Sequence, residues 1–358
     1  LPACPPTPLL RQSRQSWLQG KYGRISVDTM KQPSAKHTTP AWLILRVVAG
    51  FFLTLPAQAA TSYTWTTPDT AGNWSDNSKW SPNGVPGTDT NDTVGIGAPS
   101  AVRYVTLDLV ASIASLAMSN SANNRIVLNQ NLTANRIPGA NSDPNWCGLG
   151  QIQVNNQTLM MDWSDNDRPI HQCLGYGTIV KQGTNQLIVG ACSGYGPGYL
   201  FPFQGRWAIS NGTVYLRYGD LQWATDLTVY DGGTLDITQF SAFPATNMTL
   251  SGAGCAGAGA LRGRTYTMTS AISLASNTTF WTSGELTLGG PVNGPGSLTL
   301  TGPGTFTFNR TDYGLSNVIT IVSSATLNVE GWLPDITNIT IQGGATLRGV
   351  TNQFPKAT

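Results

Sequence analysis

The chain contains short stretches in which apolar residues alternate with threonine, and each stretch ends in small or polar residues. The pattern is clearest in three segments that align without gaps: residues 227–235 (LTVYDGGTL), 319–327 (ITIVSSATL) and 339–347 (ITIQGGATL). Alternation with a period of two is typical of a strand with one buried and one exposed side. The small residues in the middle of each segment tolerate the backbone angles of a tight turn. Each segment therefore predicts a strand, a corner and a second strand.

This unit recurs about every twenty residues. The last two copies lie 20 residues apart, and looser copies at 211–216 and 247–252 are offset by 21 residues from 227–235. One unit is too short to bury its own apolar side, so a regular interval indicates that the units stack. Stacked parallel strands align equivalent side chains in ladders, about 4.8 Å apart. The predicted fold class is all-β, a parallel β-helix, with a β-sandwich or an up-and-down barrel as the alternative.

Composition and charge narrow the class of protein. Charged residues make up 11% of the chain, and glycine occurs 40 times, which suits strands and turns better than surface helices. After residue 59 there are 13 Lys and Arg against 17 Asp and Glu, a net charge near −4. Binding to nucleic acid needs clustered Lys and Arg, so we do not expect it here.

A leader precedes the repeats. Residues 47–55 form an apolar run, and the small-residue motif AQA follows it. This layout is typical of a secretory signal peptide, which we place at residues 30–59 with cleavage between Ala59 and Ala60. A transmembrane anchor is the alternative, but the run is too short to span a bilayer. We therefore expect a protein that is secreted or displayed at the cell surface, and the first 29 residues carry no usable pattern.

The rest of the chain divides into a cap and a stack. Residues 60–100 hold Trp65, Trp74 and Trp80 among glycine, asparagine and proline. The first strand of a solenoid needs a cover, because an open end exposes unpaired strand edges. The sequence therefore predicts a Trp-rich N-terminal cap, followed at residues 101–358 by about a dozen irregular coils of 20–25 residues.

Several segments resemble a known family. One copy consists of residues 296–308 (GSLTLTGPGTFTF) with 324–327. A looser copy consists of residues 177–183 (GTIVKQG), 187–189 and 211–213. A Trp-rich opening at residues 63–87 precedes both. These segments are similar to the autotransporter-associated β-strand repeat and cover about half of the chain after the leader. The resemblance implies a right-handed parallel β-helix exported by a Gram-negative-type bacterium, often as the passenger of an outer-membrane protein. We find no alternating ten-residue strands of a membrane barrel, so attachment to the outer membrane is expected only through a separate or missing barrel.

One acidic segment is the candidate for an alternative, enzymatic site. The segment MDWSDNDRPIHQC contains Asp162, Asp165, Asp167, Arg168 and His171. Paired carboxylates could act as acid and base on a polysaccharide or bind Ca²⁺. The other interpretation is a polar loop whose aspartates form turns. No other catalytic pattern accompanies the segment, so we predict a protein without catalysis, cofactor or metal.

Aromatic residues supply the candidate binding surface. Nine of them fall within residues 195–230, and the outward-facing members would form a platform for sugar rings or a protein partner. The candidates are Tyr215, Tyr218, Trp223 and Tyr230, while filling of the core is the alternative for about half of the nine. We therefore expect a monomeric structural or adhesive surface protein that binds cell-surface glycans or surface proteins of a host or a neighbouring cell. The alternative is a polysaccharide-binding or polysaccharide-degrading β-helix.

Four cysteines follow the leader, an even number in a protein expected to be exported. Cys173 and Cys192 are 19 residues apart, close to one coil, so they could occupy equivalent positions on adjacent strands. The spacing of neighbouring strands suits a disulfide. The predicted bridge is Cys173–Cys192, with Cys147 as the competing partner and Cys255 unpaired and buried. Four reduced, buried cysteines are the alternative.

Overall fold

The computed structural model describes residues 60–66, 70–97, 100–119, 123–137, 151–163, 172–189, 203–217, 224–239, 247–311, 313–333 and 335–349. These residues form strands and two short 3-10 helices, Asn77–Lys79 and Cys255–Gly257. The strands of the N-terminal half are β1 Ser62–Trp65, β2 Gly72–Asn73, β3 Trp80–Ser81, β4 Thr93–Ile96, β5 Arg103–Leu107, β6 Ala111–Met118, β7 Asn124–Leu128, β8 Leu132–Arg136, β9 Gln151–Gln153, β10 Thr158–Trp163, β11 Gln172–Leu174, β12 Thr178–Lys181 and β13 Gln186–Val189.

The remaining strands continue the same arrangement. They are β14 Arg206–Ile209, β15 Gly212–Arg217, β16 Asp226–Val229, β17 Gly233–Gln239, β18 Asn247–Gly252, β19 Leu261–Gly263, β20 Tyr266–Met268, β21 Ala271–Thr282, β22 Glu285–Leu288, β23 Val292–Gly294, β24 Leu298–Thr301, β25 Thr305–Phe308, β26 Gly314–Leu315, β27 Val318–Ile321, β28 Thr326–Val329, β29 Asn338–Ile341 and β30 Thr346–Gly349. Most of the described strands have two to six residues and are joined by tight corners, as the sequence pattern predicts, whereas β21 has 12 residues and contributes to two faces.

The strands stack into a parallel β-solenoid. The first face contains β4, β6, β8, β10, β12, β14, β16, β18 and the beginning of β21. The second face contains β13, β15, β17, β19, the end of β21, β24, β27 and β29. Two five-stranded sheets complete the turns, β2–β5–β7–β9–β11 near the N-terminus and β20–β22–β25–β28–β30 near the C-terminus. The all-β, parallel β-helix prediction is confirmed.

The repeated unit has the predicted local structure. Strands β27 and β29 pair in register with Ile319 opposite Ile339, and β28 and β30 pair with Leu327 opposite Leu347. The corner between the strands contains a residue with positive φ, Ser323 in one turn and Gly344 in the next. The positive φ falls one position later in the second corner, but both corners have the same number of residues, so the second turn lies on the first without a shift in register.

The core is a set of apolar ladders inside the solenoid. In the C-terminal half, Leu286, Phe306 and Leu327 occupy equivalent positions on consecutive strands, and each is fully buried. Burial of one such side chain stabilises the fold by about 1.5–3 kcal/mol relative to exposure. The apolar side chains of a unit therefore stabilise the fold only when another unit packs above or below them and buries them.

The number of turns depends on their lengths. The described residues make about nine turns, against the dozen predicted for residues 101–358. Some turns have the predicted length, since Leu227 pairs with Met248. Others are longer, since Ile179 pairs with Trp207. In both cases the strands that follow still pair residue by residue with those of the preceding turn.

The N-terminal end is closed by a tryptophan cluster. Trp65, Trp74 and Trp80 are buried, and the ring centroids of Trp65 and Trp74 lie 4.8 and 4.9 Å from that of Trp80. The indole Nε1 of Trp74 donates to the Pro86 carbonyl oxygen, and that of Trp80 donates to the Trp74 carbonyl oxygen. Strand β3 pairs antiparallel with β1, unlike the parallel pairs of the stack. The predicted Trp-rich cap is confirmed.

The leader lies outside the described residues, including the signal peptide at 30–59 and Ala59. Ala60, the predicted first residue after cleavage, is exposed at the start of the described chain. No helix in the described part of the chain is long and apolar enough to cross a membrane.

Candidate functional site

A polar and aromatic ladder crosses the second face of the solenoid. Its members are Tyr215 on β15, Asp236 on β17, Arg262 on β19 and Trp281 on β21, and each is opposite the next in the register of the sheet. Their neighbours along each strand point into the core, so strand alternation directs these four side chains outward. Three strand spacings separate the first from the last, about 14 Å. We call this set the outer ladder.

The charged pair in the middle of the outer ladder is firmly positioned. Arg262 Nη1 lies 3.1 Å from Asp236 Oδ2, and both side chains are largely shielded from solvent. The other carboxylate oxygen of Asp236 accepts hydrogen bonds from the backbone N–H and the hydroxyl of Thr238, at 3.0 and 2.7 Å. Bonds of this kind to a charged group are about twice as strong as neutral ones. The carboxylate therefore holds the guanidinium in one place.

Trp281 completes the arrangement. The Arg262 guanidinium carbon lies 4.6 Å from the centroid of the indole ring, which is the geometry of a cation–π contact. Arg262 Nε is buried and has no hydrogen-bond partner among the described residues. Arg262 thus sits between a carboxylate and an aromatic ring, and a partly exposed edge of the group faces outward.

This combination suits recognition of a polar ligand with flat apolar faces. Aromatic rings contact the C–H faces of sugars, while charged groups and hydroxyls hydrogen-bond the sugar hydroxyls. A guanidinium also binds carboxylate groups in a fixed geometry. The outer ladder could therefore bind a saccharide chain lying along the solenoid axis.

The predicted aromatic platform is divided by the structure. Tyr215 belongs to the outer ladder and is half-buried, whereas Tyr230 lies at the corner between β16 and β17 and is 51% exposed. These two tyrosines therefore do not share a ladder. Tyr218 and Trp223 lie outside the described residues, so their part in a platform stays a prediction. Phe203 and Trp207 of the same segment are buried in the core, as the core-filling alternative has it.

Sequence reasoning missed Arg262 and Trp281. Each lies beyond the aromatic-rich segment, 19 residues apart from the other, and neither stands out from its local composition. A signal was nevertheless present. Both directly precede the last residue of a strand and follow an inward-facing apolar residue, Leu261 and Phe280 respectively, which pair with each other in the sheet. Aligning the inward-facing residues Leu261 and Phe280 of the two turns would have shown that Arg262 and Trp281 are neighbours on the outer side of the sheet.

Asp162 of the alternative enzymatic site binds a buried lysine. Lys181 Nζ lies 3.2 Å from Asp162 Oδ1 and donates to the carbonyl oxygens of Gln182, Gly183 and Asn211 at 2.8, 2.9 and 3.2 Å. Asn185 donates to both carboxylate oxygens of Asp162, through its backbone N–H and its Nδ2. The group forms the corner between β12 and β13. We call it the corner ion pair.

Burial determines the electrostatics of the corner ion pair. Lys181 occupies an inward position, between Met161 and Ile209 in the sheet, and its side chain has no exposure. Burial lowers the pKa of Lys181 to about 8, while the Asp162 carboxylate acts in the opposite direction. Asp162 serves here as the counterion of an ammonium group. To act as an acid or base on a substrate, it would have to leave that ammonium group unpaired in the core.

The other members of the alternative site, Asp165, Asp167, Arg168 and His171, lie outside the described residues. In the described part of the chain, no group of three or more His, Cys, Asp or Glu residues has the arrangement of a metal site. The convergence of the five residues therefore stays a prediction, and only the environment of Asp162 is known.

The cysteines differ in part from the expectation. Cys173 is a fully buried thiol, and burial raises its pKa. Cys147 and Cys192 lie outside the described residues, so the structure gives the Cys173–Cys192 bridge no support and the pairing stays a prediction. Cys255 was expected to be unpaired, and this is wrong: it is buried and disulfide-bonded, with its partner outside the described residues. The sequence argument left Cys255 unpaired because the other cysteines precede it by 63 residues or more.

Comparisons with protein families, with curated proteins and with solved structures each found no match for this chain. The fold is thus a parallel β-solenoid on the geometry alone, and the autotransporter-associated repeat remains a resemblance in sequence.

Proposed function

We propose that the protein is an exported, non-catalytic β-solenoid that acts as a structural or adhesive element at the cell surface and binds glycans through its second face. The resemblance of its repeats to autotransporter-associated β-strand repeats supports export as a passenger-like domain. The observation that carries the proposal is the Asp236–Arg262–Trp281 arrangement. It places a fixed cation and an aromatic ring side by side on the outside of a rigid stack.

Rigidity matters for adhesion. A ligand site on a regular stack of strands loses little conformational entropy when it binds, because the backbone and the Arg262 side chain are already ordered. The outward position opposite Trp281 on the next strand is Thr301, and Thr299 and Thr320 form the adjacent outward ladder, so small side chains leave the face flat beside Trp281. A long polymer can therefore lie across several coils.

The binding experiment uses immobilised acidic and neutral polysaccharides and the full-length protein. Trp281→Ala should reduce binding by about twofold to tenfold, since stacking of a ring on an aromatic side chain contributes about 0.5–1.5 kcal/mol. Thr320→Ala is the matched control, because it removes an outward side chain of the same face two strands away, and it should leave binding unchanged. Equal binding by the folded Trp281 variant and the wild type would refute the role of the outer ladder.

Two further measurements test the rest of the proposal. Release of soluble oligosaccharides or unsaturated products from the same polysaccharides would show catalysis, and the non-catalytic part would then be wrong. For export, N-terminal sequencing of the exported protein should give Ala60 as the first residue. A mature chain that retains residues 47–55 would contradict the signal-peptide prediction.

A further inference from the structure

The positive charge of the outer ladder is compensated within the ladder. Arg262 Nη1 lies 3.1 Å from Asp236 Oδ2, and the two side chains are 17% and 3% exposed. The carboxylate therefore balances the guanidinium, while the exposed edge of the guanidinium can still donate a hydrogen bond to a neutral hydroxyl. The first face differs, because the ion pair between Arg206 and Asp226 is longer, 3.4 Å, and Arg206 is 68% exposed. The cation of the outer ladder is thus shielded, whereas that of the first face is open to solvent.

The second face is uncharged beyond the outer ladder. Strands β24, β27 and β29 have the sequences LTLT, VITI and NITI, which contain no Lys, Arg, Asp or Glu. Charged residues of these turns lie on the β20–β22–β25–β28–β30 sheet instead, with Glu285 on β22 and Arg348 on β30. The outward threonines next to Trp281 form what we call the threonine strip: Thr279, Thr299, Thr301, Thr320 and Thr340.

This distribution of charge favours a neutral ligand. A polymer of acidic sugars gains from a protein surface that offers cations without a partner, and the outer ladder offers a cation that already has one. The chain after residue 59 also has 13 Lys and Arg against 17 Asp and Glu, so its overall field repels a polyanion. A neutral polymer meets neither penalty, and its hydroxyls can hydrogen-bond the threonine hydroxyls and the edge of Arg262.

The spacing of the outer ladder favours an extended chain. Its positions repeat at the strand spacing, about 4.8 Å, and an extended chain of 1,4-linked pyranose rings advances by roughly this length per ring. Tyr215 and Trp281 are three spacings apart. Rings stacked on these two aromatic side chains would therefore be joined by two rings over Asp236 and Arg262. A curved chain cannot keep this contact along a straight ladder.

We infer that the outer ladder and the threonine strip form a track for a neutral, extended, 1,4-linked polysaccharide, with one ring at each strand. The inference rests on the proposed function and specifies the class of ligand for the same site. Tyr215 and Trp281 supply the stacking contacts. Asp236 sets the selectivity through Arg262, because its carboxylate cancels the charge that would otherwise attract an acidic polymer.

The experiment is titration calorimetry of the full-length protein with three matched hexasaccharides. Cellohexaose is neutral and extended, its derivative oxidised at C6 of each ring is extended but acidic, and maltohexaose is neutral but curved. Cellohexaose should bind at least about tenfold more tightly than either of the others. Among shorter cello-oligosaccharides, affinity should rise steeply up to four rings, because a shorter chain cannot reach both Tyr215 and Trp281.

Asp236→Asn tests the origin of the selectivity. It keeps the shape of the side chain and leaves Arg262 without its counterion, so the preference for cellohexaose over the oxidised hexaose should fall at least about fivefold. Asp226→Asn is the matched control, because it removes the carboxylate of the exposed ion pair on the first face. It should leave the preference within about twofold of the wild type. The ligand series with the wild type decides the inference even where Asp236→Asn does not fold.

The outcomes separate this inference from the proposed function. Suppose that glycans bind and Trp281→Ala weakens binding, but the oxidised or the curved hexaose binds as tightly as cellohexaose, or affinity does not depend on length. Either result would overturn the neutral, extended track and leave the proposed function standing. An unchanged preference in folded Asp236→Asn would overturn the role of Asp236. No binding to any neutral or acidic polysaccharide would overturn both the inference and the proposed function.

Discussion

Replacing Lys181 by methionine removes the charge of the corner ion pair and keeps most of the shape of the side chain. Methionine would continue the apolar ladder formed with Met161 and Ile209, the residues opposite position 181 on β10 and β14. The substitution therefore separates two contributions of the lysine. Its stem fills the core, and its ammonium group satisfies the oxygen atoms of the corner.

The expected loss follows from the groups left behind. The ammonium group donates to one carboxylate oxygen and three carbonyl oxygens, at distances between 2.8 and 3.2 Å. Removing one partner of a buried ion pair costs about 3–5 kcal/mol, because the other charge stays in a poorly solvated place. Asp162 is 21% exposed and keeps its two bonds from Asn185. Both features reduce the loss, so we expect about 3 kcal/mol.

The assay is urea unfolding at neutral pH, combined with hydrogen exchange. A solenoid can open locally, so the loss should be greatest in the exchange of β12 and β13. Ile209→Met is the matched control, since it places methionine in the same ladder without changing a charge, and it should cost less than about 1.5 kcal/mol. Asp162→Asn added to Lys181→Met should cost less than the sum of the two single changes, because the side chains act as a pair.

The reasoning fails if Lys181→Met is within about 1 kcal/mol of the wild type and exchange at β12 and β13 is unchanged. That result would mean that water satisfies the corner oxygens as well as the ammonium group does, and the corner would not depend on an ion pair.

Three further outcomes follow from single features of the fold. The pKa of Lys181 is lowered to about 8 from an ordinary 10.5, so between these pH values the unfolded chain holds the proton and the folded chain does not. The free energy of unfolding should therefore rise between about pH 8 and 10.5, by at most about 3 kcal/mol relative to Lys181→Met. A difference between the two proteins that does not change with pH would contradict the burial argument. Ser323→Gly should stabilise the fold by about 1 kcal/mol in urea unfolding, since Ser323 has a φ of 59°, whereas Ser324→Gly should destabilise it by about 0.5–1 kcal/mol. Gly331→Ala should destabilise the fold by about 3 kcal/mol, because a Cβ there would overlap a backbone carbonyl of the preceding turn. Gly343→Ala is the control: the space around Gly343 is open, so this variant should stay within about 0.5 kcal/mol of the wild type. Equal thermal stability of the two variants would contradict the close approach of Gly331 to that carbonyl.

The strands and corners of the repeated unit could be predicted from the sequence because their causes are local. Alternation of Ile and Thr around residues 319–321 determines which side chains turn inward, whatever lies beyond the unit. The recurrence of that alternation about twenty residues later then predicts a neighbour at the same height of the stack. The Trp-rich cap was predictable for a related reason, since Trp65, Trp74 and Trp80 are too large and apolar to remain exposed beside an open strand edge.

The candidate sites depend on contacts between turns, and local patterns do not contain these. Asp162 looked like a member of an acidic loop, yet its position beside β12 makes it the counterion of Lys181. Tyr215 and Tyr230 are close in sequence, but one lies on a face and the other at a corner. Arg262 and Trp281 belong to different turns and meet only because Leu261 and Phe280 pair in the sheet.

The sequence by itself determined the unit, the direction of its side chains and the need to stack, because these follow from a two-residue period and from the conformations available to each residue. The tertiary structure decided which outward residues become neighbours, because insertions at the corners change how many residues lie between equivalent positions. Ile321, for example, is fully buried because it lies between Leu300 and Ile341 of the adjacent turns, contacts that its own unit does not supply.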